Sequence, residues 1–280
     1  MNDESVPHVP HSPPFTTGGT SSFSVGLFIP CYIDQLFPRV AVATLELLER
    51  HGCTVAYPLD QTCCGQPLAN AGFEKDAAKT MRLFVQNFQA YDYVVTPSAS
   101  CALHVREHYA SLEQSKAVQH VRTHTFELCE FLTDVLRVKS VDAAFPHRVG
   151  FHPGCHGLRG LRLGQASELN SPALVRGGHD GGAFSRDKVR ALLERVRGLT
   201  LVDLDRADEC CGFGGTFSVT EETVSVRMGR DRIDDHLLHG AEFMTSADMS
   251  CLMHMDGLAR RAGLPIRVRH VAEILNGTAE

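Results

Sequence analysis

Residues 210–219 read CCGFGGTFSV, and residues 63–67 read CCGQP. Each Cys-Cys-Gly follows a short β-rich run, 53–57 in one case and 199–204 in the other. Outward from the triplets the similarity continues. Leu47-Leu48-Glu49-Arg50 stands before the first and Leu192-Leu193-Glu194-Arg195 before the second. Downstream, His124-Thr125-Phe126-Glu127-Leu128 matches His270-Val271-Ala272-Glu273-Ile274. The offset between halves is 147 from Cys63 to Cys210, 150 from Cys101 to Cys251 and 146 from His124 to His270. From Cys31 to Cys155 it is only 124, so 23 extra residues lie between Cys155 and Cys210. The Gly-, Ser- and Asn-rich stretch 165–186 is the place expected for that insertion.

The rest of the chain alternates apolar runs with helical periodicity. Strands are expected at 24–30, 53–57, 93–96, 148–152, 199–204 and 242–245. Helices are expected at 37–51, 73–90 and 189–196, with further helices opening after 97–101 and at Cys251. The expected fold class is therefore α/β, a tandem duplication of a Rossmann-like β/α unit with parallel sheets. The first unit is placed at 23–140 and the second at 147–277. Residues 1–22, rich in Pro, Gly, Ser and Thr, read as a disordered tail.

Composition narrows the function. The 280 residues are 43% hydrophobic and 21% charged, ordinary values for a chain with a sizeable core. With 27 basic against 33 acidic residues, the net charge of −6 argues against a nucleic-acid surface. No run approaches the roughly 18 apolar residues of a membrane helix. The N-terminal segment carries no basic and apolar export signal, so a cytoplasmic location is expected. In a reducing compartment, ten cysteines point to metal binding or catalysis rather than to disulfides.

Eight of the ten fall into two matched sets: Cys31, Cys63, Cys64 and Cys101, and Cys155, Cys210, Cys211 and Cys251. Each lies just after a strand, at the carboxyl end of a parallel sheet, where open α/β folds bind ligands. Helix N-termini there favour thiolates. These eight are the candidate metal ligands. Ser98 and Asp248 precede Cys101 and Cys251 by three residues and are read as helix caps or supporting hydrogen-bond partners. His104 and His254 follow the same cysteines by three residues and are weak candidates, as are His152 and His156 beside Cys155. Cys53 and Cys129 have no partner in the other half and are expected to pack. Gly212-Phe213-Gly214-Gly215 fits no nucleotide-binding fingerprint, and no nucleophile–base pair stands out.

Two units of Cys, Cys-Cys-Gly and a final Cys resemble the CCG cysteine-rich domain family, to which the cysteine-rich subunit of heterodisulfide reductase and the iron–sulfur subunit of glycolate oxidase belong. CCGQP, PSASC at 97–101, CCGFGGTFSV, ADMSCL at 247–252 and HVAEIL at 270–275 are similar to its lactate utilization protein A group. The resemblance implies a cytoplasmic iron–sulfur subunit of an L-lactate oxidising complex, in which lactate becomes pyruvate. It implies two partners, a ferredoxin-like lactate utilization protein B and a protein C. It also implies that the eight cysteines bind the clusters. The full motif ends in Cys-x-x-Cys, whereas Ser98 and Asp248 hold the penultimate positions here. Four thiolates per unit suit a 4Fe–4S cluster and equally a tetrahedral zinc. The readings therefore left open are an electron-transfer subunit, a zinc-stabilised scaffold module of the same complex, or the iron–sulfur subunit of a glycolate or other 2-hydroxy-acid oxidase.

Overall fold

Val25, Leu27, Val94 and Val95 are fully or almost fully buried, as strands covered on both faces by helices require. They belong to β1 (Ser24–Leu27) and β3 (Tyr93–Thr96), which pair in parallel with each other. Adding β2 (Thr54–Ala56) and β4 (Thr125–Glu127) gives a four-stranded parallel sheet of order β2-β1-β3-β4. The second sheet repeats it with β5 (Arg148–Phe151), β6 (Thr200–Val202), β7 (Phe243–Thr245) and β8 (Arg267–Val268), in the order β6-β5-β7-β8. The computed structural model describes residues 23–167 and 187–278. The tail at 1–22 and all of the expected insertion beyond residue 167 lie outside them.

The expected helices at 37–51 and 73–90 form as Pro38–Arg50 and Glu74–Phe88. Proline opens the first, where its missing N–H costs nothing. Met249–Ala262 begins two residues before Cys251 rather than at it, because Asp248 is its cap. One long helix, Glu222–Leu238, has no expectation behind it. Its buried face carries Ser225, Gly229, Arg232, Ile233, Asp235 and His236, so the apolar periodicity that announces a helix is missing.

The repeat match between His124 and His270 is out of structural register. Thr96 pairs with Glu127, and the Val271 amide bonds the Ser246 carbonyl two positions beyond the last β7–β8 pair, which sets Ser246 opposite His270. Glu127, not His124, is thus the counterpart of His270, and both cap the helix that follows. The capping position recurs while its residue type changes.

The halves share one core. The last helix, Val271–Asn276, packs on Pro38–Arg50 of the first half. Reciprocally, Leu128–Glu130 at the end of the first half packs on Lys188–Leu193 of the second. The first contact is latched by Asn276, whose side chain bonds Glu46 at 2.5 Å and Arg50 at 2.7 Å. Ser98 and Asp248, equivalent under the duplication, pair with each other in an antiparallel bridge. A pseudo-twofold axis therefore passes between them.

Replacing Asn276 by Ala strands Glu46 and Arg50 at the seam and is expected to destabilise the chain by about 1–3 kcal/mol, read as a lower urea midpoint. Burial pushes the Glu127 carboxyl from its ordinary 4.5 to about 8. The folded chain holds that proton longer than the unfolded one, so this stability is present below about 4.5 and lost as pH rises to about 8. Glu127→Gln keeps the acceptor for the Glu130 amide and carries no charge. The wild-type loss, about 1.4 kcal/mol per pH unit across that window, is expected to flatten in this variant when unfolding is followed from pH ~5 to ~9.

Candidate metal centres

Cys31 follows β1, Cys63 and Cys64 follow β2, and Cys101 follows β3, all at the carboxyl end of the first sheet. Because the strand order reverses between β1 and β3, Cys31 and Cys101 flank the crevice this topology creates. Cys155, Cys210, Cys211 and Cys251 repeat the arrangement on the second sheet. Burial is graded identically in the two sets. Cys31 and Cys155 are exposed, Cys63 and Cys210 half-buried, and the remaining four buried.

The sulfurs of each set meet. In the first, Cys31 contacts Cys63, Cys63 contacts Cys64, and Cys64 donates to Cys101 at 3.5 Å. In the second, Cys155 contacts Cys210, Cys210 contacts Cys211, and Cys211 contacts Cys251. All ten cysteines are free thiols. Cys53 and Cys129 lie apart from both sets, buried in the main apolar core.

The charge pattern also repeats. Hydrogen bonds from Cys31 and Cys64 lower Cys63 to about 3, helped by the Gly65 amide. Hydrogen bonds from Cys155 and Cys211 lower Cys210 to about 2, helped by the Gly212 amide. The flanking thiols are pushed up by their neighbours and by burial. Each set thus presents one thiolate flanked by two thiols, with the fourth cysteine against the inner of these, a donor set that fits a thiophilic metal centre.

The glycine of each triplet makes this possible. Gly65 and Gly212 adopt φ of 93° and 83° and aim their N–H groups at the Cys63 and Cys210 sulfurs, 3.4 and 3.3 Å away. A Cβ on Gly212 would stand 2.7 Å from the Ser225 carbonyl oxygen, so only glycine fits.

Ser98 and Asp248 do not join the sulfur sets. Ser98 Oγ accepts from the Cys101 amide at 3.3 Å and so caps that helix. Asp248 Oδ1 accepts from the Ser250 amide, and its Oδ2 accepts from the Ser100 amide of the other half at 2.8 Å. Tyr32, beside Cys31, donates its hydroxyl to Asp248 Oδ1 at 3.2 Å. The Asp248 side chain is therefore used to join the halves.

His104 is buried, with neither ring nitrogen partnered, and faces Cys63 closely enough for their charges to interact. His254 is half-buried, its Nε2 3.3 Å from the Ser225 carbonyl. His156 Nδ1 lies 3.8 Å from the Cys155 sulfur. His152 stands beside two sulfurs at once: a ring nitrogen, the Cys211 sulfur and the Cys251 sulfur lie within 4.8 Å of one another. The sequence signal was its place three residues before Cys155, at the end of a strand.

A cleft opens beyond β5 and β6, lined by Phe151, Leu158, Asp187, Arg190 and Asp208 among others. Arg190 is paired with Asp203 at 2.8 Å, so it is not a free cation for a carboxylate ligand. Among the described residues no helix is long and apolar enough to cross a membrane.

The cysteine-rich domain family profile matches this chain twice, over residues 25–106 and 149–256. "Lactate utilization protein A" of Geobacillus thermodenitrificans is 41% identical over 256 residues, covering 90% of this chain and 98% of its own. The protein of the same name from an Exiguobacterium species is 40% identical over 260 residues, covering 90% and 97%. That of Bacillus cereus is 35% identical over 256 residues, covering 90% and 98%. With both halves matched and this identity running along nearly the whole chain, the protein belongs to the lactate utilization protein A family, built from two cysteine-rich domains.

Proposed function

We propose that this chain is an electron-carrying subunit of an L-lactate oxidising complex, holding one iron–sulfur cluster per half. Cys31, Cys63, Cys64 and Cys101 would hold the first, and Cys155, Cys210, Cys211 and Cys251 the second. The observation that carries this reading is the run of contacts among four cysteine sulfurs, made twice with the same burial order. A 4Fe–4S cluster held by four thiolates supplies one-electron transfer. Around it the chain would do the rest. The glycine amides at Gly65 and Gly212 stabilise negative sulfur, and the buried cysteines exclude water from the inner side of each set.

Oxidation of L-lactate to pyruvate releases two electrons and two protons, and two equivalent cysteine sets match that electron count. The exposed Cys31 and Cys155 mark the edge on which a partner would dock. The relatives' name supports lactate as the substrate and the companion lactate utilization proteins B and C as the partners. Among the described residues no side chain stands out as a base for lactate, so the chemical step is assigned to another subunit and electron relay to this one.

Anaerobic purification followed by iron and acid-labile sulfide analysis is expected to give iron and sulfide in equal amounts, with visible absorbance that bleaches on reduction. Stoichiometric zinc without iron would sink the cluster reading and leave a zinc-stabilised scaffold. Cys63→Ser or Cys210→Ser alone is expected to remove about half of the bound iron, since each variant disables one set. Deleting the gene in its source organism is expected to abolish growth on L-lactate and spare growth on glycolate. The reverse pattern would move the assignment to glycolate oxidation.

A further inference from the structure

The duplication provides an internal control, and at one place the halves disagree. In the first half, Phe28 packs edge-on against Phe84 and Phe88, with ring centroids 4.8 and 5.7 Å apart. This aromatic wall belongs to the same buried cluster as Cys64 and Cys101. Phe28 lies three residues before Cys31, as His152 lies three before Cys155. Phe84 and Phe88 lie on the helix Glu74–Phe88, whose counterpart Glu222–Leu238 carries Arg232 and His236 at the matching offset of 148. Space confirms the match: a Cβ on Gly26 would strike Phe88, and one on the equivalent Gly150 would strike His236. An apolar wall in one half is a buried polar assembly in the other.

That assembly has a defined polarity. Arg232 and His236 are fully buried, and His152 is 1% exposed. Arg232 Nε donates to His152 Nδ1 at 3.2 Å, while its Nη1 bonds Asp235 at 3.0 Å and its Nη2 bonds the Ala207 carbonyl. A guanidinium only donates, so Nδ1 must accept, and the neutral imidazole then carries its proton on Nε2. Nε2 has no hydrogen-bond partner within the protein. The sulfurs of Cys211 and Cys251 lie close to the ring. A metal bond from Nε2 would require that proton to be lost.

We propose that His152 presents its unpartnered Nε2–H to the second centre, beside Cys211 and Cys251, that Arg232 is the positioning residue fixing it in that role, and that together they make the second centre the one on which an electron rests. The proposal rests on the iron–sulfur reading above. Hydrogen bonds to sulfur and a nearby cation stabilise the more negative, reduced state of a thiolate-held cluster and raise its potential. The Phe28 wall offers neither. In exchange between the halves, one electron leaves the first centre and one enters the second, with no bond or proton exchanged.

The test uses the full chain, prepared anaerobically, as wild type, His152→Phe and His152→Gln, each first analysed for iron and sulfide. Poised at a series of potentials and read by absorbance and EPR, the wild type is expected to show two separated one-electron waves. His152→Phe installs the first half's residue. It is expected to cut the reduced-to-oxidised ratio of the upper wave about tenfold or more at fixed potential, about 59 mV for a one-electron couple, and to leave the lower wave in place. His152→Gln retains an N–H donor and is expected to restore most of the separation. Coincident waves in the wild type, or an iron-loaded His152→Phe chain with an unmoved upper wave, would overturn the proposal. Pulsed EPR compares wild type with the iron-loaded His152→Phe chain, both labelled with 15N-histidine. A weakly coupled nitrogen with an exchangeable proton on the upper-wave centre, absent from the variant, is the expected result, whereas strong coupling typical of a ligand, or a signal unchanged in the variant, would overturn the donor role. A chain without iron gives no wave in any variant, which separates failure of the cluster reading from failure of this one.

Discussion

Asp248 is a buried carboxylate on which both halves converge. It accepts from the Ser250 amide of its own helix, the Ser100 amide of the opposite half and the Tyr32 hydroxyl beside Cys31. Those three donors sit on the segments that carry Cys251, Cys101 and Cys31. Removing the carboxylate would leave donors buried without partners, each at a cost of about 1–3 kcal/mol. It would also free the two sulfur-bearing helices to shift against each other. The geometry of both cysteine sets therefore depends on one charge at the pseudo-twofold axis. Asp248 could not serve as a ligand without giving up this joint.

Much of this was legible in the chain itself. The strand at Tyr93–Thr96 forms where its apolar run begins and ends, and the eight paired cysteines fall at strand ends as their spacing requires. Glu222–Leu238 was not legible, because burying Arg232, Asp235 and His236 erases the apolar stripe by which helices are read. The register of Glu127 against His270 was not legible either. A helix cap needs only an acceptor at the right place, so a carboxylate and an imidazole exchange there with no similarity in sequence. The joint at Ser98 and Asp248 is long-range, and spacing along the chain carries no record of it.

The failure at Glu222–Leu238 and the divergence between the halves have one origin. A helix that packs only against apolar neighbours keeps a periodic apolar face, as Glu74–Phe88 does with Ala77, Met81, Phe84, Val85 and Phe88. Its duplicate exchanged two of those aromatic positions for a cation and an imidazole. Burying Arg232 is costly unless every donor is met. Here Asp235, two backbone carbonyls and His152 accept from all three of its nitrogens. Such an assembly is hard to retain for packing alone, since the Phe28–Phe84–Phe88 wall solves the same packing problem without charge in the same fold. What the polar version adds is a direction: a fixed N–H pointing away from the cation, toward the one part of the half that carries negative sulfur.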